Sequence, residues 1–161
     1  MGVDTGIKVR IFNSIQTEFK EISVSEQDNS LGSLFFTNEI SYTTIKFDRL
    51  QEFTEEENEL LDLSGSEEEE MLAFSKISNA KDILPILDKI YKKLYRQKRD
   101  ALYNDLNDIA NLDISDEEKS KSKKSKISDY FTFESSFSIL RGIIKVASAQ
   151  DNKIQIINEY Y

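Results

Sequence analysis

The side chains best placed by type and spacing to do chemistry are four cations, Lys89, Lys92, Arg96 and Arg99. They recur at three- and four-residue steps, so a helix gathers them into one stripe that could bind phosphates or carboxylates. A solvated helix face explains the same stripe more simply. Little beside them suggests catalysis. The chain has no histidine and no cysteine, which removes the commonest general base, the commonest transition-metal ligand and any thiol nucleophile. Its five glycines form neither a GxGxxG nor a Walker loop. Glu67, Glu68, Glu69 and Glu70 could meet a hard cation. Consecutive residues on a helix point in different directions, however, and the spaced ligands and glycine of a calcium loop are missing. With 30 acidic residues, carboxylate pairs able to act as acid and base arise by chance. The expectation is a non-enzymatic protein with no cofactor and no metal.

The element that must carry the stripe is a helix over residues 79–110, NAKDILPILDKIYKKLYRQKRDALYNDLNDIA. Asn79 is suited to cap it, because its side-chain oxygen can accept from free amides of the first turn. Asp82 in that turn meets the positive end of the helix dipole. Pro85 is late for a first-turn proline, so the helix either starts near Leu84 or bends there. Ile83, Leu87, Ile90 and Leu94 recur at helical spacing, and Leu102, Leu106 and Ile109 resume it. Gln97 and Lys98 break the face between them. The break is either a hydrated gap or the place where one packing partner hands over to another. Leu94, Leu102, Leu106 and Ile109 are therefore the candidate partner-binding residues, and the cationic stripe is the candidate contact for phosphate or an acidic partner. Tyr91, Tyr95 and Tyr103 could stack on bases, but tyrosines one turn apart are more often partial core.

At 161 residues the chain is long enough for one domain with a real core. Its net charge of −9 disfavours a protein that coats nucleic acid in bulk. No 18-residue apolar run or signal-peptide core is present, so a soluble cytoplasmic protein with no membrane contact is expected.

Along the rest of the chain, Phe12, Ile15, Phe19 and Ile22 keep a helical step over residues 8–23, with a strand at IKVRIF as the competing assignment. Residues 25–33 suggest a loop. Residues 34–50, rich in aromatic and β-branched types, fit strand or helix equally. Residues 52–70 hold ten acidic and no basic side chains. Thr54 with Glu57 fits a capping box, so a short acidic helix is expected there. Five lysines alternate with serines between Lys119 and Lys126, which suggests a mobile connector. Tyr130, Phe133, Phe137 and Leu140 mark a helix face beginning near Ser128 or Asp129. Ile143, Ile144 and Val146, then Ile154, Ile156 and Ile157, suggest a hairpin turning at Gln150 to Asn152, while a helix through ILRGIIKVASA is the alternative. The expected fold is mainly α: a helical bundle around one long amphipathic helix, with a small C-terminal β-hairpin. Residues 1–140 would form the helical domain, with 119–126 its connector, and residues 141–161 a small hairpin or tail.

The order of these features resembles the helical domain of GINS replication-factor subunits. The likeness rests on ILPILDKIYKKLYRQKRDALYNDL, on Ile114-Ser115-Asp116-Glu117-Glu118 as the acidic turn after it, and on Tyr130-Phe131 as the start of the next helix. It covers at most residues 8–140. The Lys/Ser tract is outside the family pattern, and only about twenty residues follow Gly142, where the family usually carries a small β-rich domain. The resemblance implies a scaffold that joins a replicative helicase to its partners, assembled with sister subunits. Two functions therefore stand: an assembly subunit of an intracellular complex, as a homo-oligomer or with sister subunits, or a small nucleic-acid-associated regulator using the basic stripe and the lysine tract.

Overall fold

A computed structural model describes residues 5–25, 36–37, 54–63, 65–67, 69 and 71–160. Strands β1 (Thr5–Phe12) and β2 (Phe19–Ser25) open the chain. Three short elements follow: β3 (Phe36–Thr37), helix α1 (Glu55–Leu60) and β4 (Asp62–Leu63). Next come β5 (Gly65–Glu67), β6 (Leu72–Phe74) and β7 (Ser78–Asn79). Two long helices, α2 (Ala80–Ala110) and α3 (Asp116–Ala149), then lead to β8 (Lys153–Tyr160). The main sheet has the order β2-β1-β8-β6-β5, with β7 also on β8, and every pairing is antiparallel. β3 and β4 form a separate parallel pair.

The fold is thus a mixed α/β layer structure and not a helical bundle. The first correction lies at residues 8–23. They form a β-hairpin, because Ile7 and Val9 alternate onto the buried side of β1 while Lys8 and Arg10 face away and pair with Glu21 and Glu159. Asn13 shapes the turn, its Oδ1 accepting from the amides of Thr17 and Glu18.

The second correction is the C-terminal hairpin. Residues 141–149 continue α3, and only the second expected strand forms. That strand is central, with β1 on one side and β6 and β7 on the other. Ile154, Gln155, Ile156, Ile157 and Asn158 are all buried, the signature of a strand covered on both faces. The turn before it is a Schellman motif: Asn152 N–H donates to Ala147 O and Asp151 N–H to Ser148 O, with Asp151 at φ 56°.

The third correction is the Lys/Ser tract. Residues 119–126 are helical. Ser115 caps α3 by accepting from the Glu118 amide at 3.2 Å, and Asp116, Glu117 and Glu118 oppose the helix dipole. Lysine is itself a good helix former. The capping expected at Thr54 is present at α1, where Thr54 Oγ1 accepts from Glu57 N. Of residues 25–33 and 34–50, only Ser25 and β3 lie within the described residues.

One face of the sheet and the near halves of α2 and α3 enclose the core. Ile7, Val9, Ala73, Ile154 and Ile156 meet Ile83, Leu87 and Ile90 of α2 and Phe137, Leu140 and Ile144 of α3. At the sheet's far edge the Phe74 ring lies over Gly65. A Cβ there would run into the ring, so any larger residue would force Phe74 to move off its cross-strand partner.

Candidate docking surface on the helical hairpin

α2 and α3 run antiparallel, joined by the short link from Asn111 to Ser115. α2 begins at Ala80, whose amide donates to Asn152 O. Asn79 holds the cap position without a side-chain bond to the helix amides; its Nδ2 points to Asp82 Oδ2 instead. The helix continues through Pro85.

The two halves of this hairpin differ. Ile83, Ile86, Leu87 and Ile90 bury the near half of α2, and Phe133, Phe137, Leu140, Ile144 and Ala147 the near half of α3. Beyond them Ile109 is the buried apolar side chain of the far half. The expected break marks the handover. Lys98 Nζ lies 4.6 Å from the centre of the Phe133 ring and so caps the core where the helices leave it. From Gln97 to Ala110 the far half extends about 20 Å.

Two grooves lie between the helices. The nearer, about 490 Å³, is lined by Asp88, Tyr91, Lys92, Phe137, Ser138, Arg141 and Gly142. Arg141 Nε donates to Asp88 Oδ1 at 2.5 Å across it, and this bond, with the Asp88 charge, holds Arg141 still more firmly protonated. Tyr91 packs on Tyr95 and Phe137 at 5.7 and 5.4 Å between ring centres. The farther groove, about 210 Å³, is lined by Lys98, Ala101, Leu102, Asp105, Lys126, Asp129 and Tyr130. Lys126 approaches Asp105 at 3.8 Å, and Lys119 Nζ donates to Ala110 O, closing the C-terminus of α2. Burial pushes the Tyr130 hydroxyl up to about 12, helped by the Glu134 carboxylate and by a hydrogen bond with Tyr95.

The candidate contacts do not form one surface. Ile109 is buried, Leu102 and Leu106 are half-buried, and Leu102 faces α3 in the farther groove. Leu94 is within α2, with its side chain outside the described residues. α3 therefore covers part of the face expected to receive a partner. Among the cations, Lys89 Nζ donates to both Glu57 oxygens at 2.9 Å, tying the stripe to the acidic helix α1. Arg99 lies 3.6 Å from Asp100 and against the Tyr95 ring. Lys92 borders the nearer groove, and Arg96 is exposed. Glu67 and Glu69 are exposed, Glu68 and Glu70 lie outside the described residues, and no metal-holding group of acidic residues occurs among the described ones. Tyr130 and Phe131, expected at a helix start, lie well inside α3.

Sequence reasoning missed Arg141, which meets Asp88 only through the helix pairing. It also missed the outer face of α3. There Phe131, Ile139 and Val146 are 58%, 48% and 58% exposed. At the hairpin tip Tyr103, Leu112 and Ile114 are also exposed. Apolar residues two helical turns apart, at eight- and seven-residue steps from Phe131 through Ile139 to Val146, were the signal for the former.

The chain matches no protein-family model, no curated protein and no solved structure. Among the described residues no helix is long and apolar enough to cross a membrane.

Proposed function

We propose that this chain is a non-enzymatic assembly subunit that docks proteins along its helical hairpin. One observation carries this reading: the hairpin leaves large apolar side chains exposed at its tip and on the outer face of α3. Apolar surface that a fold does not cover itself favours association. The half-buried Leu102 and Leu106 and the buried Ile109 of the far half stiffen the arm that presents the tip. A place in a helicase-associated replication complex is the more specific form of the proposal. It rests on the resemblance alone, and of the features that carry it residues 8–23 form a hairpin and Tyr130-Phe131 lie inside α3. A cytoplasmic location belongs to the same proposal, and cell fractionation checks it.

The nucleic-acid alternative has weaker support. Lys89 is paired with Glu57, Arg99 lies beside Asp100 and Lys126 near Asp105, so carboxylates already neutralise part of the basic surface. Fluorescence anisotropy with single- and double-stranded oligonucleotides at low salt separates the two readings. Tight, steeply salt-dependent binding would favour the alternative.

Light scattering and native mass spectrometry of the purified chain, with co-purification from its own cells, test the assembly reading. The expected result is a defined oligomer or a stoichiometric complex, lost on replacing Leu112 and Ile114 or the outer apolar residues of α3 with glutamate. A monomer that retains no partner would refute it.

A further inference from the structure

We infer that the outer face of α3 pairs with the same face of a second copy, antiparallel, about a two-fold axis passing between Ser138 and Ile139. This rests on the assembly reading and names the partner within it. The face is apolar and uncovered: Phe131, Ile139 and Val146 are half or more exposed or close to it. Ser135 and Gly142 lie between them, both exposed, and a Cβ on Gly142 would meet nothing within 4 Å. Packing within the chain therefore gives no reason for that glycine, although glycine inside a helix costs about 1 kcal/mol relative to alanine. A second helix approaching closely at that position supplies one.

Two features select a copy of this chain over another partner. The first is symmetry. Phe131 and Val146 stand equally far from the midpoint of Ser138 and Ile139, and so do Ser135 and Gly142. A two-fold axis there packs Phe131 on the partner's Val146 and the partner's Gly142 under Ser135, as an isologous contact requires. The second is charge. The flank of the face carries Glu134 toward one end and Lys145 toward the other. Antiparallel pairing brings each flank against itself, so Glu134 meets the partner's Lys145 twice, once on each side of the axis. Lys145 is exposed and Glu134 forms no ion pair among the described residues, whereas Arg141 is already bound to Asp88. The contact runs about 33 Å from Ser128 to Ala149.

The cysteine-free chain makes the test direct. Ser138→Cys, next to the axis, should form an intermolecular disulfide on mild oxidation, and Asn111→Cys at the hairpin tip should not. Sedimentation should show a concentration-dependent dimer that Ile139→Glu abolishes with unchanged circular dichroism. Glu134→Lys or Lys145→Glu should each weaken the dimer about tenfold, and the double exchange should restore it. A dimer that survives Ile139→Glu, equal cross-linking at both cysteines, or a monomer at every concentration would each overturn the proposal. A monomer that still holds a stoichiometric protein partner would overturn the self-pairing alone. A monomer with no partner would overturn the assembly reading as well.

Discussion

The near and far halves of α2 and α3 belong to the same two helices and obey different physics. The near halves press a continuous apolar layer onto a sheet, with Phe137, Leu140 and Ile144 wholly removed from water. Among the described residues the far halves have only each other. Two helices alone cannot enclose a core, so Leu102 and Leu106 stay half-buried and polar devices complete the contact. These are the Ser115 cap, the Lys119 bond to Ala110 O and the Lys126–Asp105 approach. Helix length alone therefore says little about stability. What the helix faces sets how much each turn contributes. The arm is the less buried part and presents the apolar tip, whereas the exposed outer face of α3 at Ile139 and Val146 backs onto the near half.

The comparison breaks most visibly at Phe137. Phe137→Ala should cost about 3–5 kcal/mol and unfold both halves together, read as a large drop in the urea midpoint. Leu102→Asp with Leu106→Asp should cost about 2–3 kcal/mol and act on the arm alone. Hydrogen exchange should then rise over residues 97–126 while β1 and β8 stay protected. Equal loss of protection in the sheet would show that the halves are one cooperative unit. Ser115→Ala should cost about 1 kcal/mol, again confined to the arm, with the first turn of α3 exchanging fastest.

The smallest effect is expected at Tyr130, whose hydroxyl is raised from the ordinary 10.0 to about 12. The folded chain holds this proton more tightly than the unfolded one. The contribution is thus complete below pH 10 and is lost as pH rises toward 12. Thermal melts should fall more steeply with pH in that window for the native chain than for Tyr130→Phe. Parallel curves would place Tyr130 in ordinary solvent.

Local signals were legible where one element's own chemistry decided it. The apolar steps of residues 79–110, the Thr54–Glu57 cap and the break at Gln97 and Lys98 each correspond to a feature of the structure. They failed where two periods fitted the same residues. Phe12, Ile15, Phe19 and Ile22 step like a helix, yet Ile7 and Val9 alternate like a strand, and pairing with β8 settles the choice. The lysine tract seemed too polar to order, because its cap and its partners Ala110 and Asp105 lie on either side of the hairpin turn. The stripe was legible as a unit, but the Lys89–Glu57 and Arg141–Asp88 bonds each join residues from two different elements.

By itself the sequence determined that residues 79–110 can form a long helix, that Thr54 can cap a short acidic one, and that cysteine and histidine chemistry is absent. Those properties depend on neighbours a few residues apart. Only the tertiary structure decided that β8 lies at the centre of a sheet, that Lys89 spends its charge on Glu57, and that the outer face of α3 stays uncovered. Each of these depends on residues far apart in the chain, and a period in one segment does not report what will pack against it.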